Sequence, residues 1–368
     1  MLVQVFLIVL VLIVSSDYDH RENTLVNRHK FMTFVILLLV LQSGLRNLAV
    51  GADTYSYYQE FEELIRTPWD MMFSNRVLVS DTGNITIKDP GFQVLQKAFC
   101  TICPSFRLFL FAVAIFFFVP FCRMAERYLT SFKQIFLFFC IYQALYYDFF
   151  SVTGLRQTIA TVAILVGIKY IEEKKWLKFL VIVFIASFVH KSAFVILPFY
   201  IVGRLPKSKY WLMGSTIAFP FLLVAARSIA GILVLVSSAD NYAQYAESEY
   251  ETDGAIFFTI FLFIGCAITL IAKHRHPDKI PDILVNAYAL GIALAPLTWV
   301  DPTLMRVGQY YSLFALITIP LAIENLGGQR KFRILVYWVV FAIVLAIIVK
   351  HNREYAFMWQ EMALGKNY

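Results

Sequence analysis

PSFRLFLFAVAIFFFVPFC, residues 104–122, carries a single charge, Arg107, in nineteen residues, and its reading decides the fold. A helix rises 1.5 Å per residue, so about 20 apolar residues cross the roughly 30 Å of hydrocarbon in a bilayer. This stretch is long enough to do so. Working outward, comparable stretches fall at approximately 1–16, 31–46, 132–150, 155–172, 176–190, 192–203, 210–236, 254–272, 281–299, 307–324 and 333–350. The expectation is an all-α, polytopic transmembrane helical bundle of about 10–12 spans, forming a single integral membrane domain over residues 1–368.

Composition agrees. Sixty per cent of the 368 residues are apolar and 15% are charged, and the mean hydropathy is +0.68. Ordinary globular chains are roughly 45–50% apolar and about 25% charged. The 35 Phe and 20 Tyr supply aromatic mass that settles at bilayer interfaces. The net charge of +7 lies in short inter-helix loops, which reads as a topology signal and argues against nucleic acid as a partner. Met1–Val14 lacks a basic n-region and a small-x-small cleavage site, so it reads as a retained helix. Five cysteines, at 100, 103, 122, 140 and 266, lie mostly inside apolar runs and read as small hydrophobes.

Six loops carry 19 of the 32 Lys and Arg residues: 17–30, 123–133, 169–178, 204–209, 273–279 and 330–333. If 176–190 and 192–203 form a hairpin of two crossings, all six fall on one side, and that side is cytoplasmic. One long helix over 176–203 would put the later loops on the wrong face. The opposite face then holds a large loop, 47–103, with seven acids against four bases and room for short interfacial helices. It also holds 237–254, with five acids, no bases and the tyrosines Tyr242, Tyr245 and Tyr250.

Charge is scarce inside the spans, as its cost at the bilayer centre demands. Polar groups gather where helices meet the outer face: Arg46, Asp53 and Tyr57 after the second span, then Asp148, Arg156-Gln157, His190-Lys191-Ser192, Asp301 and Arg306. Each has a plain reading. An arginine at a helix end snorkels, Asp53 caps a helix, and Asp148 pairs with Arg156. Together they place cations and titratable groups from distant segments at one level. Arg156 opens a helix after Thr153-Gly154, where free N–H groups and the helix dipole favour an anion. Its planar fork suits phosphate oxygens.

Other motifs carry little. Asp17-Tyr18-Asp19 is a cytoplasmic D-x-D, and Asn84-Ile85-Thr86 is a sequon of use only in a secretory host. P-loop, GxGxxG, HExxH, GxSxG and zinc-spaced Cys/His patterns are all missing, which argues against ATP-driven pumps and metalloproteases.

LRNLAVGADTYSYYQEF (45–61), DPGFQVLQKAF (89–99), the block from Gly154 to Gly203 beginning GLRQ and containing HKS (190–192), and RVGQYYSLFALITIP (306–320) together resemble the EpsG family of Wzy-like polysaccharide polymerases. The matching order is Arg, Gly-x-Asp-Thr and Tyr after an early helix, then Arg-Gln, then His-x-Ser before an apolar run. Met1–His20 precedes the matching stretches.

The resemblance implies a multi-pass protein of the bacterial inner membrane with a core related to the GT-C glycosyltransferases. It implies polymerisation of polyprenyl-diphosphate-linked oligosaccharide repeat units into exopolysaccharide, capsule or O-antigen at the outer face. A flippase and a chain-length regulator are the partner proteins expected. On this view Asp53, Arg156 and His190 are catalytic, with Asp53 as base and Glu62, Glu63 and Asp301 as other candidates. Arg46, Tyr57, Gln157, Lys191, Asp301 and Arg306 bind diphosphate or sugar. The scheme needs no cofactor and no metal. Two rivals stand beside it: a GT-C enzyme adding one sugar from a polyprenyl phosphate, and a transporter of lipid-linked sugars. The transporter should show mid-bilayer charges and inverted repeats, which this sequence lacks.

Overall fold

A computed structural model describes residues 2–51, 53–73, 77–79, 85–87, 89–237, 253–300, 304–351 and 354–361. All twelve apolar stretches are helical, in whole or in part. Among the described residues seven helices are long and apolar enough to cross a membrane, or up to nine if two bent pairs count as spans. The bent pairs are Phe132–Leu145 with Tyr147–Thr153 (68°) and Met305–Ser312 with Ala315–Glu324 (42°). Leu155–Glu172 and the shorter Trp176–Val189 and Lys191–Val202 supply the remaining stretches. The protein is an all-α, multi-pass membrane bundle. Its only strands among the described residues are a small antiparallel pair, β1 (Val77–Val79) and β2 (Ile85–Ile87), in the large polar loop.

The helices that build the site are numbered in chain order: α1 Leu2–Asp19, α2 Leu25–Gly44, α3 Thr54–Arg66, α4 Pro90–Ile102, α5 Phe106–Glu126, α6 Phe132–Leu145, α7 Leu155–Glu172 and α8 Trp176–Val189. Local chemistry starts them. Thr24 and Ser105 accept backbone N–H groups at the N-termini of α2 and α5. Ser131 and Gln134 form a capping box on α6. Among apolar spans, polar side chains act as glue. Gln42 of α2 and Gln143 of α6 exchange amide hydrogen bonds at 2.7 and 3.1 Å, and Gln4 of α1 donates to the Gln143 carbonyl.

Side-chain contacts tie the six basic loops together at one end. Lys133 pairs with Asp19, Arg28 donates to the Thr130 carbonyl, and Arg127 pairs with Glu172. Gln134 reaches the Glu324 carboxylate, Arg333 donates to the Glu324 backbone carbonyl, and Arg275 donates to the Leu326 carbonyl. Lys273 pairs with Asp282, which also accepts from Ser208. The segments 176–189 and 191–202 therefore run out from this end and back to it. This is the end that the positive-inside expectation assigns to the cytoplasm.

At the opposite end lie α3 and α4, two short helices from the polar stretch between the second span and α5. In α3, Thr54, Tyr57, Phe61 and Leu64 lie on one face and are buried. Tyr57, Phe61 and Leu64 pack with Phe92 of α4 and with Phe106 and Phe109 of α5 in one apolar, mostly aromatic cluster. Lys97 of α4 is buried, and its ammonium donates to the Leu64 and Thr67 carbonyls at 2.8 and 2.6 Å. It thus satisfies orphan carbonyls at the end of α3 and favours the negative end of that helix dipole. The segment 354–361 returns to the same end, where Phe357 pairs with Arg46 in an isolated antiparallel bridge.

Candidate functional site

Asp89 is the centre of the polar end, and its backbone explains why. It sits at the N-cap of α4 with φ 49°, a left-handed conformation that Asp tolerates better than most residues, and its side chain makes no capping hydrogen bond. The carboxylate is left to reach outward. Its Oδ2 accepts from His190 Nδ1 at 3.1 Å and from Arg156 Nη1 at 3.4 Å. Its Oδ1 accepts from the Lys191 backbone N–H at 3.2 Å. Gly91 makes this meeting possible, because a Cβ there would lie 2.7 Å from the backbone carbon of Phe188. The start of α4 can therefore lie directly on the end of α8, beside His190.

Arg156, in the first turn of α7, lies between two carboxylates. Nη2 donates to Glu60 at 3.1 and 3.3 Å, opposite the bond to Asp89. Its guanidinium also lies over the rings of Tyr57 and Phe92, at 5.4 and 5.2 Å to the centroids. Such stacking adds a cation–π attraction in a partly dry setting. Arg156 pairs with Glu60 and Asp89, so the pairing with Asp148 suggested by the sequence is replaced by longer-range partners.

The second half of the site comes from the helix Met305–Ser312. Arg306 Nη2 lies 3.7 Å from Asp53 Oδ2, and both side chains are partly exposed. The Arg306 guanidinium lies 5.5 Å from the centroid of Phe149. Gln157 donates its amide to the Arg306 carbonyl at 2.5 Å, joining the two halves. Ser192 and Tyr310 share a hydrogen bond of 2.9 Å between their hydroxyls. Lys191 has an exposed side chain.

Burial alone would push the Asp89 carboxyl up. The His190 hydrogen bond and charge, the Arg156 charge and the Lys191 N–H outweigh it, and the carboxyl is held below its ordinary value. Burial pushes the Tyr57 hydroxyl up to about 12, against the pull of nearby Arg156.

Of the residues expected from sequence, Asp53, Tyr57, Arg156, Gln157, His190, Lys191 and Arg306 are linked at one end of the bundle by these contacts. Arg46 is different. It is 2% exposed and donates to the carbonyls of Ser43 and Val152, with Nε unpartnered. It clamps the end of α2 to the π-helix Tyr147–Thr153, whose Val152 carbonyl also accepts from Thr54. That is a scaffold contact, buried beneath the charged cluster. Asp301, Tyr242, Tyr245, Tyr250 and Asn84 lie outside the described residues. Asp53 is at the N-cap of α3 without a side-chain capping bond, which leaves its carboxylate for Arg306.

Sequence reasoning passed over Glu60 and Asp89. Glu62 and Glu63 drew attention instead, although Glu62 is about 200° around the helix from Glu60. Asp89 had a readable signal: an acid directly before a Pro-Gly helix start usually caps or contacts something. Among the described residues no group of three His, Cys, Asp or Glu side chains is placed to hold a metal ion. All five cysteines are free thiols.

Fold and site together define a multi-pass, all-helical membrane protein with a network of fixed charges at one end of its bundle. The EpsG family model matches residues 29–362. The chain belongs to the EpsG family, and so to the Wzy-like membrane proteins of polysaccharide biosynthesis. No curated protein and no solved structure matches it.

Proposed function

We propose that the protein polymerises polyprenyl-diphosphate-linked oligosaccharide repeat units at the outer face of a bacterial inner membrane. The product would be an exopolysaccharide, capsule or O-antigen chain. The observation that carries this reading is the convergence of Arg156, Arg306, Lys191 and His190 with Asp53, Glu60 and Asp89 at the end opposite the basic loops.

Polymerisation joins a sugar hydroxyl to an anomeric carbon while a polyprenyl diphosphate departs. Negative charge grows on the leaving group, and a fixed donor or cation in a dry site lowers that barrier by roughly 3–4 kcal/mol. Arg306 and Lys191 meet the diphosphate, and Asp53 yields its place on Arg306 as the carrier enters. Arg156 exchanges Glu60, the more exposed of its two carboxylates, for a diphosphate oxygen. Tyr57 and Gln157 hold the two arginines in register, and Arg46 supports the floor of the site. A flippase and a chain-length regulator would supply the carrier and limit the product.

Full-length protein in vesicles, given a lipid-linked repeat unit with the diphosphate on the outside, tests this. A ladder of repeats is the expected product. A single added sugar would assign the chain to monosaccharide transfer, and movement of intact carrier without reaction would assign it to transport.

A further inference from the structure

We propose that Asp89 is a positioning residue that fixes the His190 imidazole as the base of the reaction, with Nε2 turned to the acceptor sugar. This inference rests on the polymerase reading and replaces Asp53 as the base. The geometry has the form of a base held by a third group. Asp89 Oδ2 accepts from Nδ1 at 3.1 Å, which sets the tautomer and leaves Nε2 as the nitrogen able to take a proton. Nε2 has no hydrogen-bond partner among the described residues, and the imidazole is 11% exposed, at the edge of the site. Asp89 itself is 4% exposed and cannot meet a sugar directly. Its second oxygen is fixed by the Lys191 N–H, so the carboxylate cannot turn away. Asp53, by contrast, has only the 3.7 Å pair with Arg306, which the carrier displaces, and no capping bond to orient its carboxylate.

In the step, Nε2 takes the proton of the acceptor hydroxyl as its oxygen bonds to the anomeric carbon. The bond from that carbon to the diphosphate oxygen breaks, and the diphosphate leaves with the electron pair. The imidazolium is stabilised by Asp89, then returns its proton to water at the outer surface. The other charged or titratable groups around the dyad are Arg156 from α7, Glu60 and Tyr57 from α3, Arg306 and Tyr310 from the helix Met305–Ser312, and neighbouring Lys191. The cations among them disfavour the imidazolium, and Asp89 is the acid bonded to it. Removing Asp89's charge therefore removes the acid bonded to the imidazolium that forms in the step.

The test uses full-length wild type, Asp89→Asn, Asp89→Glu, His190→Ala and the Asp89→Asn/His190→Ala pair in vesicles with lipid-linked repeat units. Asp89→Asn should lower kcat at least about 100-fold with little change in KM. It should also move the acid limb of the pH profile to lower pH. Asp89→Glu should restore part of both, and His190→Ala should remove that limb. Adding Asp89→Asn to His190→Ala should cost nothing further. A second readout needs no turnover: the pH midpoint for carbethoxylation of His190 by diethylpyrocarbonate, read by peptide mass, should fall in Asp89→Asn. A wild type that makes no ladder while this midpoint still falls would sink the polymerase reading alone. An unmoved midpoint, or additive losses in the double variant, would overturn the dyad.

Discussion

Arg156 Nη2 lies 3.1 Å from Glu60 Oε1, joining residues 96 apart in the chain, while Nη1 reaches Asp89 on the other side. One planar fork therefore holds α3, α4 and α7 together. Breaking a buried pair by removing one partner costs about 3–5 kcal/mol, and Glu60's partial exposure argues for the lower end. Arg156→Ala should unfold at lower temperature in detergent and yield no surface polymer. Arg156→Lys, a point charge without the fork, should fold but satisfy one carboxylate only and lose most of the ladder. Thermal unfolding and a polymer gel check both variants. A full ladder from stably made Arg156→Ala would remove this residue from the chemistry.

Arg306 presents the opposite balance. Its pair with Asp53 is 3.7 Å long and partly exposed, so it contributes about 0–1 kcal/mol to stability. Arg306→Gln should leave the unfolding temperature nearly unchanged and lower turnover about 100-fold, as expected for loss of one charge facing a developing anion. Asp53→Asn should tighten carrier binding, because the diphosphate no longer competes with a carboxylate. Equal loss of stability in both variants would mean that the pair serves the fold.

The spans were readable because crossing a bilayer imposes one requirement, apolar length, that shows in composition alone. The hairpin at 176–203 was readable because basic loops must share a side. The partners of Arg156 were not. Seven acids crowd residues 47–103, and which of them meets Arg156 depends on Gly91 seating α4 against Phe188 and on the left-handed turn at Asp89. Neither contact has a periodic trace in the sequence. Arg46 shows the same limit from the other side. Its charge is plain, but its partners are backbone carbonyls, and the returning segment that pairs with it starts more than 300 residues later.

Asp89 also makes stability depend on pH. Its carboxyl is held below the ordinary value of 3.8 by His190, Arg156 and the Lys191 N–H, against burial. A lowered folded value means that the contribution is fully present above about pH 4 and is lost as pH falls through the folded value. The unfolding temperature of wild type should therefore drop more steeply than that of Asp89→Asn as the pH falls below about 4. Parallel curves would show that Asp89 carries no such linkage.

Lys97 tests the join between α3 and α4. Its ammonium is buried and bonded to two carbonyls at the end of α3. Hydrogen bonds to charged groups contribute about 1.5–3 kcal/mol. Lys97→Met keeps the apolar stem and removes the donor, so α3 should loosen from its C-terminal end. Protease should then cut near Thr67 faster than in wild type while the spans stay intact. Unchanged cleavage would mean that the aromatic cluster alone seats α3.

The reading of the charged end as the outer one rests on the opposite end gathering the basic loops, and it can be tested with the fold left as it is. With the five native cysteines replaced by Ala, Lys175→Cys marks a basic loop, and Glu63→Cys marks the exposed face of α3. Both positions face solvent. An impermeant maleimide applied to intact spheroplasts should label Glu63→Cys and spare Lys175→Cys, and lysis should expose the second site. The reverse pattern would turn the Arg156 and Arg306 cluster toward the cytosol. A carrier whose diphosphate faces outward could then not reach these arginines, and polymerisation at the outer face would have no site in this chain.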